Sequence, residues 1–201
     1  IEHLEPGVIE RDDLAKAPNE QIKMMGELGL LGMMVPEAWN GAGMDAVSYV
    51  VAMEDMSRID GSAGVIMSVN NSMVCQIFLV WAVDAQRQKY LTKLATGEYI
   101  GAFSLSEPQS GSDASNMKTF AETDGASYIL NGTKNWITNG GRADVYLVIA
   151  QTDREKGHRG INAFIVEKGM EGFDVGPKED KLGIRGSDTH TLQFNDVKVP
   201  K

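Results

Sequence analysis

Two short polar stretches hold the side chains best suited to chemistry. The first, GAFSLSEPQSGSD at 101–113, breaks an apolar run with a Glu-Pro turn and closes on a Gly/Ser loop. It carries Ser104, Ser106, Glu107, Ser110, Ser112 and Asp113. Such loops display hydroxyls and main-chain N–H groups that packed elements cannot, so a ligand is first sought there. The same letters also describe an ordinary turn. The second stretch, WITNGGRAD at 136–144, puts Trp136 and Thr138 on one strand face at i, i+2 before Asn139-Gly140-Gly141 turns the chain. An aromatic plane beside a hydroxyl suits a flat heteroaromatic ligand, one stacking and the other hydrogen-bonding. The alternative is a Trp packed over a barrel end, with Thr138 present for its β-propensity.

Other chemistries lack their residues. His158 and His190 have no second His or Cys at ligand spacing, so neither reads as a metal ligand. No G-x-G-x-x-G, G-x-x-x-x-G-K-[ST] or G-x-S-x-G occurs, which removes the usual dinucleotide, nucleotide and serine-hydrolase signatures. DREKGHRG at 153–160 reads as a solvated turn rather than a phosphate clamp. KLGIRGS brings Lys181, Arg185 and Ser187 into one loop that either meets an anion or closes a strand pair.

The elements that must position these clusters change character along the chain. Over residues 1–97 the apolar spacing is helical: EQIKMMGELGL with Ile22, Met25 and Leu28, a helix capped by Asp45, the apolar SAGVIMSVNNSMVCQIFLVWA, and DAQRQKYLTKLATG ending at Gly97. The methionines lie within or beside apolar faces and read as core filler. Beyond Gly97 the period becomes two. YIGAFSLS, KTFAET, SYILNGTKNWIT, DVYLVIAQT, INAFIVEK, FDVGP and THTLQFNDVKV are strand candidates, with Gly125 in a hairpin turn. The expectation is an α+β multidomain chain: an N-terminal helical bundle at 1–97, then a small antiparallel β-barrel or sandwich at 98–201.

Composition sets outer limits. The 201 residues are 42% hydrophobic and 23% charged, ordinary globular values, with a net charge of −9 that disfavours nucleic acid and anionic membranes. The single cysteine, Cys75, sits in apolar context and reads as core; a cytoplasmic protein is expected, with no membrane partner. The chain opens without Met and closes on Val-Pro-Lys after a strand, so a further element is expected beyond Lys201.

Taken together the motifs resemble the acyl-CoA dehydrogenase family. AFSLSEPQSGSD at 102–113, LNGTKNWITNGG at 130–141, INAFIVEK at 161–168 and EDKLGIRGSDTHTLQFNDVKVP at 179–200 stand in family order, preceded by KYLTKLATGE. The similarity is nearest to the short- and medium-chain members and covers the N-terminal and middle domains. It implies FAD as cofactor, with Phe103, Ser104, Leu105 and Ser106 lining the flavin and Ser106 on its pyrimidine side. Trp136 would pack against the ring, Ile137 would supply main-chain contacts and Thr138 would lie near flavin N5. Ser112 would lie by the pantetheine arm of the substrate. The resemblance further implies a flavoprotein oxidoreductase of fatty acid metabolism that converts an acyl-CoA thioester to its trans-2-enoyl form. Its partners would be acyl-CoA and an electron-transfer flavoprotein, and it would be a homotetramer or homodimer. An acyl-CoA oxidase and a noncatalytic flavin or acyl-CoA binding module are the alternatives. The family's α-proton base is a Glu of a C-terminal helical domain that these residues do not include, so no catalytic residue is expected here and Glu107 is not the base. Gln109-Ser110 departs from the usual Gly-small pair, and residues 7–19 are less typical of the family.

Overall fold

The computed structural model describes residues 2–201, so residue 1 of the expected helical domain lies outside the described residues. Two compact units emerge: Ile1–Gly101 with Asp180–Asp188, and Ala102–Glu179 with Thr189–Lys201.

The first unit is helical. α1 spans Val8–Asp13, α2 Asn19–Glu27 and α3 Ala46–Ile59. α4 runs Gly61–Trp81 and α5 covers 84–96. Asp45 caps α3 by accepting from Ser48 N at 2.8 Å, and Asp60 caps α4 by accepting from Ala63 N at 3.0 Å. α5 stops at Gly97, whose left-handed φ of 74° permits the sharp exit. The core gathers Ile22, Met25, Leu31, Met33, Tyr49, Ile66 and Met67, with Met34, Met53 and Met56 partly buried against it. Cys75 is buried, and burial pushes its thiol up to about 12. α3 departs from simple periodicity, because Val47, Val50 and Val51 are exposed and only Tyr49 is buried.

α4 is long and apolar enough by composition to cross a membrane, yet half of its most apolar window is buried. Its middle, Val69–Cys75, is a π-helical stretch that buries the consecutive Asn70 and Asn71. Asn70 Nδ2 donates to Leu31 O (2.9 Å) and Leu94 O (3.0 Å), while its Oδ1 accepts from Gly101 N at 3.1 Å. Asn71 donates to Leu30 O (2.8 Å) and Met67 O (3.0 Å) and accepts from Met33 N at 2.8 Å. Two amides thus satisfy main-chain groups of a loop, a helix end and a strand entry. The segment 180–188 belongs to this unit through Arg185 N, which donates to Asp12 Oδ1 at 2.7 Å.

The second unit is one seven-stranded sheet: β1 (Gly101–Ser104), β2 (Phe120–Thr123), β3 (Ser127–Thr138), β4 (Val145–Gln151), β5 (Ile161–Glu167), β6 (Phe173–Lys178) and β7 (Thr189–Pro200). The order is β1-β4-β2-β3-β7-β6, with β5 on β4. Extended pairings are antiparallel, and one parallel contact, Phe120 with Gln151, joins β2 to β4. All seven strands contribute to a single core that includes Ala102, Ala121, Leu130, Tyr146, Phe164, Phe173 and Phe194, so the sheet curls into an open barrel. The rings of Phe173 and Phe194 stack at 5.2 Å, and Tyr146 meets Phe173 edge-on at 4.7 Å.

Candidate functional site

The loop after β1 is pinned from inside. Glu107 and Ser110 exchange both main-chain bonds (2.8 and 3.1 Å), closing a tight turn over Pro108-Gln109. Ser110 Oγ then donates to Asp113 O at 2.7 Å. Glu107 turns inward, where Oε1 receives Lys134 Nζ at 2.7 Å and Thr119 N at 3.0 Å. Its Oε2 receives Lys118 N and Gln109 Nε2, both at 2.6 Å. Lys134 also donates to Leu105 O at 2.9 Å, and the two charged side chains are 0% and 2% exposed. Burial alone would raise the Glu107 pKa, but the bonds from Lys134, Thr119 and Lys118 prevail and hold it at about 2. Burial in turn pulls the Lys134 ammonium down, opposed by Glu107.

β3 supplies the neighbouring edge. Lys134 faces Leu192 and Ile137 faces His190, so Asn135 and Trp136 together oppose the single residue Thr191. This is a β-bulge, and Trp136 sits in it with a left-handed φ of 61°. Its side chain is 63% exposed, whereas the adjacent Ile137 is buried in the core. Asn135 N donates to Ser106 O at 2.8 Å, so the loop and the bulge share one edge. Beyond Thr138 the turn is fixed by Gly140 N to Ile137 O (3.1 Å) and by Tyr146 OH donating to Gly140 O (2.8 Å).

The structure therefore brings Leu105, Ser106, Trp136, Ile137 and Thr138 together at one strand end. Phe103, Leu105, Ser106 and Thr138 are half-buried. Ser104 is different, because its side chain is fully buried and its hydroxyl has no hydrogen-bond partner. The Ile137 side chain is likewise buried within the core. Ser112 stands apart on the exposed crest of the loop. Lys134 was not among the sequence candidates. Its signal was strand phase: on β3 it lies on the face of Leu130, and a charge on an inward face calls for a buried counter-charge. An exposed indole on a bulge, flanked by the hydroxyl residues Ser106 and Thr138, fits a flat ring with polar edges.

Elsewhere the chemistry is thin. Among the described residues no three His, Cys, Asp or Glu side chains cluster as a metal site. A cleft of 290 Å³ in the helical unit is lined by Arg11, Asp12, Asp60, Ser62 and Ile184 among others. Its Arg11 is already engaged by Pro6 O, Leu4 O and Asp60.

A helical unit, an open barrel and a bulged aromatic edge are the parts of one scaffold, and comparison with known families says which: the chain belongs to the acyl-CoA dehydrogenase family. Residues 1–98 match the acyl-CoA dehydrogenase N-terminal domain and residues 102–197 the acyl-CoA dehydrogenase middle domain. The chain is 44% identical over 197 residues to the short-chain specific acyl-CoA dehydrogenase of Clostridium acetobutylicum, covering 98% of this chain and 52% of that protein. A solved chain from the electron transferring flavoprotein of Acidaminococcus fermentans superposes with a TM-score of 0.96 at 45% identity, covering 99% of this chain and 52% of its own. A glutaryl-CoA dehydrogenase from Mycobacterium smegmatis in complex with FADH2 gives 0.91 at 38% identity, covering 98% and 50%. The chain spans about half the length of the curated relatives it matches.

Proposed function

We propose that the full-length protein is an FAD-dependent dehydrogenase of short-chain acyl-CoA thioesters, forming the trans-2-enoyl-CoA. The observation that carries this reading is the outward indole of Trp136 on a bulge tied to Ser106, in a chain whose relatives include short-chain enzymes. In this reading Trp136 presents its plane to the isoalloxazine, Ser106 and Thr138 offer hydroxyls to its polar edges, and Leu105 and Ile137 offer main chain. Ser112 meets the thioester arm. When bound, FAD supplies the acceptor for the hydride leaving the substrate β-carbon. The residues here bind and orient; the base that takes the α-proton is not assigned to them. Glu107 is unsuited to that task, because a general base needs access to its proton and a pKa near the working pH. It is buried, paired with Lys134 and held at about 2.

The electron acceptor in this proposal is an electron-transfer flavoprotein, a reading favoured by the Acidaminococcus relative. The protein is proposed to be cytoplasmic and a homotetramer or homodimer, without nucleic-acid or membrane partners; the net charge of −9 favours both exclusions. The test is anaerobic titration of the full-length protein with acyl-CoAs of graded length while flavin absorbance is followed. Bleaching by short chains is the expected result. Binding without bleaching would mark a noncatalytic module, and rapid oxygen consumption on admitting air would mark an oxidase.

A further inference from the structure

We propose that Lys134 is a positioning residue for the flavin-facing main chain, holding the Leu105 carbonyl so that Leu105–Ser106 keeps a fixed register against Asn135–Trp136. This rests on the flavin reading above and deepens it. Three consecutive residues of β3 act on the loop in turn. Lys134 Nζ holds Leu105 O at 2.9 Å, Asn135 N holds Ser106 O at 2.8 Å, and Trp136 then leaves the ladder to display its indole. Two successive carbonyls of the loop are thus pinned by the strand that carries the aromatic plane. Sliding one edge past the other requires breaking a bond to a fully buried ammonium, which has no water to turn to.

Anchoring the loop alone does not call for this lysine. Glu107 already receives Lys118 N and Thr119 N, neutral donors that tie the turn to the entry of β2, and Gln109 Nε2 from within the turn. What Lys134 adds is the link to Leu105 O, on the residue before Ser106. Buried ion pairs are often replaceable by apolar groups without loss of stability, so a geometric role gives this one a reason to exist.

The test compares Lys134→Met with Glu107→Gln in the full-length protein. Readouts are the FAD dissociation constant, the visible circular dichroism of the bound flavin, and the unfolding midpoint of the apoprotein. Lys134→Met is expected to weaken FAD by about tenfold or more and to shift the flavin dichroism. Glu107→Gln keeps the bond from Lys134 to Leu105 O and is expected to weaken FAD by about threefold or less, even where its apoprotein midpoint falls. Unchanged affinity and dichroism in Lys134→Met overturn the proposal, as does an equal loss in both variants. If Lys134→Met does not fold, Glu107→Gln alone still decides, because a loss of about tenfold there contradicts the assignment. A wild-type protein that binds no FAD overturns the flavin reading itself, and this proposal with it.

Discussion

Each unit buries one polar pair, and the two pairs are built differently. In the helical unit Asn70 and Asn71 are neutral amides whose donors and acceptors meet main-chain groups of α4, α5 and the 30–33 loop. In the barrel Glu107 and Lys134 are charged and meet each other as well as main chain. The amides do the work of turns and caps inside a core, independent of pH. The ion pair is stiffer, costs more to bury, and is sensitive to protonation. The stiffer device stands beside the edge proposed to face the flavin, and the neutral one stands within the core of the helical unit.

Removing one partner of the charged pair is expected to have the largest effect. Glu107→Ala leaves the Lys134 ammonium buried without its counter-charge and should destabilise the fold by about 3–5 kcal/mol, read by urea unfolding. A loss below about 1 kcal/mol would mean that water reaches Lys134 and that the pair is not the anchor described here.

Acid should distinguish the two pairs next. The Glu107 pKa is lowered from 4.5 to about 2 in the folded state, so the native protein binds fewer protons than the unfolded chain. The associated stability is complete above the unfolded value of 4.5 and is lost as pH falls toward 2. It amounts to about 3 kcal/mol. Urea midpoints measured from pH 6 downward should therefore converge for wild type and Glu107→Gln as the solution becomes acidic. Parallel pH profiles would contradict this.

Asn70→Ala comes third. It strands the carbonyls of Leu31 and Leu94 and the N–H of Gly101, and is expected to cost about 2–3 kcal/mol. Its pH profile should parallel that of wild type, because no titrating group is lost. A loss of Asn70→Ala stability that varies with pH in the Glu107 range would erase the contrast between the pairs.

How far these features could be read from sequence follows from the range of the interactions. The switch from helical spacing to alternation near Gly97 and the seven strands were legible, because each is a local pattern that burial enforces. α1 was not, since its six residues bury no side chain and so leave no periodic trace. The π-helical stretch at Asn70 and Asn71 was hidden for the opposite reason: an apolar helix reads as continuous whether or not one turn widens. The grouping of 180–188 with the helical unit depends on Arg185 reaching Asp12, 173 residues away, which no window can show. At the site, Trp136 and Thr138 were legible as types. The bulge that turns Trp136 outward was not, because it is set by the pairing of β3 with β7. Ser104 reads like its neighbouring serine Ser106, and only the curl of the barrel puts its hydroxyl inside.

The smallest stability effect is expected at Trp136, and it is the most informative about the edge. The sequence permits two readings, a ligand plane or a ring packed over the barrel end. They predict opposite outcomes for Trp136→Gly. The residue holds a left-handed φ of 61°, a conformation that costs a non-glycine residue about 1 kcal/mol or more and that glycine adopts freely. With the side chain 63% exposed, little apolar burial is lost on its removal. Relief of strain and the extra freedom of glycine in the unfolded chain then nearly cancel, leaving the apoprotein within about 0.5 kcal/mol of wild type. The measurement belongs to the apoprotein, since bound FAD would add its own stabilisation to wild type. In the same variant FAD affinity should fall by about tenfold or more, because the stacking plane is gone. A destabilisation of about 2 kcal/mol or more with FAD affinity unchanged would return Trp136 to the barrel core and leave the edge without its aromatic face.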